Sequence, residues 1–119
     1  MEKTRSKNYI QINIGGQIRR LTIGMRVSEF IASEIPKGVE GFNMHARYIK
    51  VMYIGLKNPQ NSLPENYSED VVVEWIDSMS MDEWEVVRGF IDESLGFIVA
   101  DYINSIERMA KSIDLANLV

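Results

Sequence analysis

The residue types able to do chemistry are few in this chain, and they are poorly grouped. Among 119 residues there is one histidine, His45, and no cysteine. Without cysteine there are no disulfides, no thiolate nucleophile and no Cys-bound zinc. His45 stands outside any His-Glu-x-x-His pattern, the spacing that puts two imidazoles on one helix face, so it reads as an ordinary helix residue. No Gly-x-Ser-x-Gly elbow is present, and so small a chain leaves little room for an oxyanion hole beside a substrate pocket. Gly15-Gly16 lacks the Lys-Ser/Thr of a phosphate loop and lies between two strand-like runs, so it reads as a hairpin turn.

The best-grouped polar residues are Asp70, Glu74 and Asp77, at helical spacing on one side of a helix. Carboxylates so placed suit a divalent cation or an acid–base pair. Nothing around them supplies the loop of an EF-hand, and solvated charge is the plainer reading. If this face has a task, docking onto a basic partner is the one it fits. No catalytic residue, metal site or cofactor is therefore expected.

The elements that carry these residues follow from periodicity. Tyr9–Ile14 alternates, with Ile10, Ile12 and Ile14 on one face, as a half-buried strand does. Gly15-Gly16 supplies the turn. A second strand is expected over residues 17–23, but Ile18, Leu21 and Ile23 alternate imperfectly, and a bulge near the turn would reconcile the faces. The hairpin edge is a place where a partner strand could pair. A helix over residues 26–35 presents Val27, Phe30, Ile31 and Ile35 at helical spacing. Pro36 and Gly38 close it, and a glycine-containing link runs to residue 42.

A second helix, residues 43–56 with Asn43 as N-cap, is apolar on most sides and expected to be buried. Gly55 near its end permits a close helix contact or loosens the last turn. The loop at 58–67 holds Pro59 and Pro64. A third helix begins at Ser68 with Glu69 and Asp70 in its first turn. Val71, Val72, Trp75, Ile76 and Met79 form its apolar face. Ser80 and Glu83 then make a capping box for a fourth helix.

That fourth helix carries Trp84, Val87, Ile91, Leu95, Ile98, Tyr102, Ile106, Met109 and Ile113 at steps of three and four, a heptad-like stripe. Val86, Phe90 and Phe97 widen it. Gly96 either breaks the helix or is carried through it. Residues 98–119 form a helical extension that contacts another copy or another protein, or folds back on the domain. Trp75 and Trp84 read first as core, with interface anchoring open. Met25, Met52 and Met79 fit core positions.

The whole is expected to be one domain over residues 1–119, of α+β class and mainly helical, with an N-terminal β-hairpin packed on about four helices. Residues 1–7 are expected to fray. No apolar run resembles a secretory signal or a membrane span, so a cytoplasmic protein without membrane contact is the expectation. Net charge is −4, unevenly spread: residues 58–101 hold eleven Asp and Glu and one basic residue, whereas residues 1–57 hold ten Lys and Arg and four acids. The acidic half would repel polyphosphate, and no aromatic-plus-basic motif marks the other half for nucleic acid.

Three stretches resemble the tail assembly chaperones of long-tailed bacteriophages and prophages. INIGGQIRRLTIGMRVSEFI resembles that family's opening hairpin running through a Gly into its first helix. YIKVMYIGLKNPQNSLPENYSEDVVVEWIDSM resembles its apolar helix ending in Gly-Leu, then a loop, then an acidic helix. MDEWEVVRGFIDESLGF resembles its last helix. Together they cover roughly residues 9–98, and residues 98–119 extend past the match. The resemblance implies a non-enzymatic chaperone that binds the tape-measure and tail-tube proteins in the bacterial cytoplasm during tail assembly. The residues expected to meet the partner are Asp70, Glu74, Asp77, Tyr102, Ile106 and Met109. The rival readings are a structural virion component, such as a head–tail connector or tail-completion protein, and a small enzyme or metal-dependent regulator.

Overall fold

The computed structural model of the chain describes residues 8–34 and 44–117, with side-chain surroundings given for 8–34 and 46–112. The expectations placed on residues 1–7, Ile35, the link at 36–42, the Asn43 cap and the side chains of His45 and Ile113 lie outside the described residues. Among the described residues the architecture is α+β and mainly helical, a two-stranded antiparallel hairpin followed by four α-helices.

Strands β1 (Tyr9–Ile14) and β2 (Gln17–Thr22) pair one-to-one from Ile14 opposite Gln17 to Tyr9 opposite Thr22. Gly15 and Gly16 adopt φ of +65° and +84°. Positive values at both positions are what a two-residue loop needs to match the twist of its strands. The ladder has no bulge, which corrects the sequence expectation. Arg19 takes the inward position instead, at 4% exposure, while Ile18 faces out at 71%. The inward set of β2 is therefore Arg19 and Leu21, opposite Ile12 and Ile10, and the alternation is regular once a charged residue is allowed inside.

Helix α1 (Met25–Glu34) buries Val27 and Ile31. Met25 is 74% exposed, against its expected core role, because it lies about 200° around the helix from Val27. Helix α2 (Met44–Gly55) is the hub, packing on α1, α3, α4 and β2. Its Val51 and Met52, with Leu56 just beyond, are fully buried. A Cβ at Gly55 would lie 2.7 Å from both Leu21 Cδ1 and the Thr22 carbonyl oxygen. The glycine thus lets α2 close directly onto strand β2.

A 3-10 turn at Pro59–Asn61 leads to α3 (Glu69–Asp77), capped by Ser68, whose hydroxyl accepts from the Val71 N–H. Ser80 and Glu83 form the reciprocal capping box, both bonds being 3.1 Å. Helix α4 (Met81–Asn117) then runs 37 residues through Gly96 without a break. Val87 and Ile91 are buried, and Phe90, Leu95, Ile98 and Val99 lean on the core. Val86, 67% exposed, does not widen the buried stripe.

The stripe itself repeats every eleven residues: Trp84, Leu95 and Ile106; Val87, Ile98 and Met109; Ile91, Tyr102 and Ile113. Eleven residues in three turns is about 3.67 per turn, close to the helix's own 3.6, so the stripe keeps one face without left-handed supercoiling. This replaces the heptad-like description. No helix among the described residues is long and apolar enough to cross a membrane.

Candidate protein-interaction surface

The acidic face of α3 is held in place from below by a buried cation. Nη1 of Arg19 donates to the carbonyls of Ile14 at 2.6 Å and Gly15 at 3.1 Å, Nε donates to Asn61 at 3.0 Å, and Nη2 to Ser62 at 3.4 Å. Its Cζ lies 4.5 Å from the Trp75 ring centroid. The planar fork of Arg suits this array of carbonyls, and the indole face favours a cation. Burial pulls the Arg19 pKa below its ordinary value, an effect opposed by Tyr67. Tyr67 in turn stacks on Tyr53 with centroids 5.0 Å apart and donates its hydroxyl to the Tyr53 carbonyl at 2.7 Å. Burial pushes the Tyr67 pKa up.

Trp84, at the start of α4, meets Tyr48 edge to face with centroids 5.6 Å apart. The Tyr48 hydroxyl donates to Asp92 Oδ1 at 2.5 Å. Burial first, and that hydrogen bond second, push the Tyr48 pKa up to about 12. Both tryptophans are half-buried and packed against the core. Each leaves an edge at the surface. Tyr48, Ile49, Val73, Ile76 and Trp84 line an open groove of about 130 Å³ with Asp77 at its rim.

Asp70, Glu74 and Asp77 are all exposed on the outer side of α3. Their neighbour Glu69 pairs with Lys50 at 3.0 Å. Among the described residues no group of three His, Cys, Asp or Glu is placed to hold a metal ion. The chemistry open to this face is charge attraction beside an apolar groove.

The second surface is the far half of α4. Tyr102 is half-buried, while Ile106 is 48% exposed and Met109 64%. Ile103, 48% exposed, broadens the patch. Helical geometry puts Glu107, Arg108 and Lys111 on the opposite side. The face that is core from Val87 to Val99 thus continues, with nothing of the described chain covering it.

Set against known proteins, the chain matches no family model, no curated protein and no solved structure. The candidate surface rests on its own geometry.

That geometry divides the expected surface in two. Asp77 lies beside Trp84 at the start of α4, and Tyr102 is 18 residues further along, about 27 Å at 1.5 Å per residue. The acidic trio on α3 and the exposed apolar stripe on α4 are thus separate surfaces. Arg19, which meets α3 through Trp75, and Asn61, which bonds Arg19 and Arg20, are marked by no sequence motif. The sequence signal for Arg19 is the imperfect alternation of β2, where an arginine occupies a position that strand periodicity reserves for the core.

Proposed function

We propose that the protein is a non-enzymatic assembly chaperone of a bacteriophage or prophage tail, binding the tape-measure and tail-tube proteins in the cytoplasm of the bacterial host. The observation that carries this reading is the α4 stripe, buried against the domain in its first half and exposed at Ile106 and Met109 beyond it. An amphipathic helix with one uncovered apolar face is a surface for another helix. A tape-measure protein is a long, aggregation-prone helical chain, and a chaperone for it needs apolar surface and solubilising charge rather than catalysis.

The acidic face of α3 adds a second contact for a basic stretch of the same client. The distance between the two surfaces suits a partner that is long and helical. The resemblance of residues 9–98 to tail assembly chaperones supports the same reading.

The test is a pull-down with tape-measure fragments. Replacing Asp70, Glu74 and Asp77 together by Lys is expected to weaken capture with the fold intact, as judged by circular dichroism. Unchanged capture rejects that surface. A chaperone is also expected to be absent from purified particles. Stoichiometric presence there would favour a structural virion component instead.

A further inference from the structure

Helix α2 packs on both α1 and α3, and the surface charge changes sign across it. Toward α1, Arg26, Phe30, Tyr53, Ile54 and Lys57 line an open groove of about 690 Å³, in which Glu29 is the one acidic residue. Lys57 Nζ lies 5.4 Å and Lys50 Nζ 5.8 Å from the centroid of the Tyr53 ring. Both lysines and Tyr53 share the outward side of α2, where a ring face favours cations. Toward α3, Asp70, Glu74 and Asp77 are exposed. The two regions meet at the ion pair of Lys50 with Glu69, 3.0 Å apart.

Away from that pair the charges are unanswered. Among the described residues Arg26, Lys57, Asp70, Glu74 and Asp77 make no ion pair. A surface positive at one end and negative at the other is complementary to itself after half a turn. Such a surface is what a two-fold contact requires, since each copy must present both halves of it.

We propose that two copies of this chain associate through this surface, the α3 carboxylates of each seated at the Arg26–Lys57 groove of the other. The two-fold axis falls beside Lys50 and Glu69, where the basic and acidic regions join. The occupant is a second copy because the surface complementary to the groove lies on the chain itself, next to the groove. Val73, half-buried beside Asp70 and Asp77, gives the α3 face an apolar contact for Phe30 and Tyr53. Each copy carries a net charge of −4, so the copies repel except where opposite charges are brought into register. The second copy covers the face that a basic client is proposed to use, and the two therefore compete for it.

Sedimentation velocity on the full chain, from low micromolar to near-millimolar concentration, tests it. The expected result is a reversible rise to twice the monomer mass at low salt, lost at about 0.5 M NaCl, where exposed charges are screened. Lys57→Glu and Glu74→Lys each set like charges together and are expected to weaken association about tenfold or more. An equimolar mixture of the two variants is expected to dimerise again, because one groove then meets a swapped face and the other a native one. Both positions are exposed, and circular dichroism checks that the variants fold. If either does not, Arg26→Glu mixed with Asp70→Lys repeats the test. A wild-type chain that is monomeric at low salt overturns the proposal, leaving the groove for an acidic segment of another protein. So does a dimer that persists in high salt or in both single variants, or a mixture that stays monomeric. Growth past twice the monomer mass overturns the two-fold arrangement in favour of a head-to-tail contact. No client takes part, so the outcome is independent of the chaperone reading.

Discussion

The guanidinium of Arg19 lies against the face of Trp75, its Cζ 4.5 Å from the ring centroid, while its nitrogens reach four backbone carbonyls. One side chain thereby joins the hairpin turn, the loop after the 3-10 turn, and helix α3. The same site explains Gly15: a Cβ there would collide with the Trp75 ring and sit 2.6 Å from Arg19 Nη1. The left-handed turn and the buried cation are one arrangement.

Arg19→Ala is expected to lower unfolding free energy by about 3 kcal/mol or more, since buried carbonyls lose their donors and a cavity opens under Trp75. Arg19→Lys keeps the charge but not the fork, and is expected to recover only part of the loss. Urea denaturation followed by tryptophan emission measures both. A lysine variant as stable as the parent would show that charge alone holds the site.

Asn61 makes three side-chain bonds, two with Arg20 and one from Nδ2 to the Leu56 carbonyl at 2.7 Å. Asn61→Asp is nearly isosteric yet turns the donor to both carbonyls into an acceptor. It is expected to cost about 2–4 kcal/mol, more than Asn61→Ser, because it sets a carboxylate against carbonyl oxygens in a buried place. Equal losses in the two variants, read from urea midpoints, would argue that packing at this site outweighs the hydrogen bonds.

Tyr48 and Tyr67 predict a specific alkaline instability. Burial raises both folded pKa values, that of Tyr48 to about 12 from 10.0. An unfolded chain therefore releases these protons first as pH rises, so it binds fewer protons than the folded state above pH 10. Stability is full below the unfolded value and falls through the interval up to the folded one. Tyr48→Phe removes one such proton and is expected to flatten the fall in thermal midpoint between pH 10 and 12. An unchanged slope would place the effect elsewhere.

Much of this fold is written in short-range pattern. The Gly15-Gly16 turn, the Ser68 cap, the Ser80–Glu83 box and the inward faces of α2 and α3 each rest on residues a few positions apart, and each was legible. What pattern could not give is long-range. Arg19 meets Asn61 across 42 residues, and Asn61 meets Arg20 across 41. No local rule puts an arginine inside a strand, so local pattern leaves the β2 register open and a bulge as one way to reconcile its faces. The acidic trio and the α4 stripe were each legible as patches. Their separation was not, because it depends on α4 running unbroken through Gly96, which the sequence leaves open. The closure of the β2 edge is likewise invisible in local pattern, because Asn61 reaches Arg20 from 41 residues away.

The α4 stripe can be divided by mutation because its two halves have the same sequence character and opposite burial. Ile91 is fully buried, whereas Ile106 is 48% exposed. Ile91→Ala is expected to cost about 2–5 kcal/mol, the usual result of emptying a packed position. Ile106→Ala is expected to change stability by about 0.5 kcal/mol or less, as surface changes do. If the exposed half is a contact surface, Ile106→Asp combined with Met109→Asp is expected to abolish capture of tape-measure fragments while leaving the thermal midpoint nearly unchanged. A large loss of stability in that double variant would instead show that the far half of α4 is covered by its own chain. Capture that persists at parental strength would remove the stripe from the binding surface and leave the α3 face, with its groove at Tyr48 and Trp84, as the remaining site for a client.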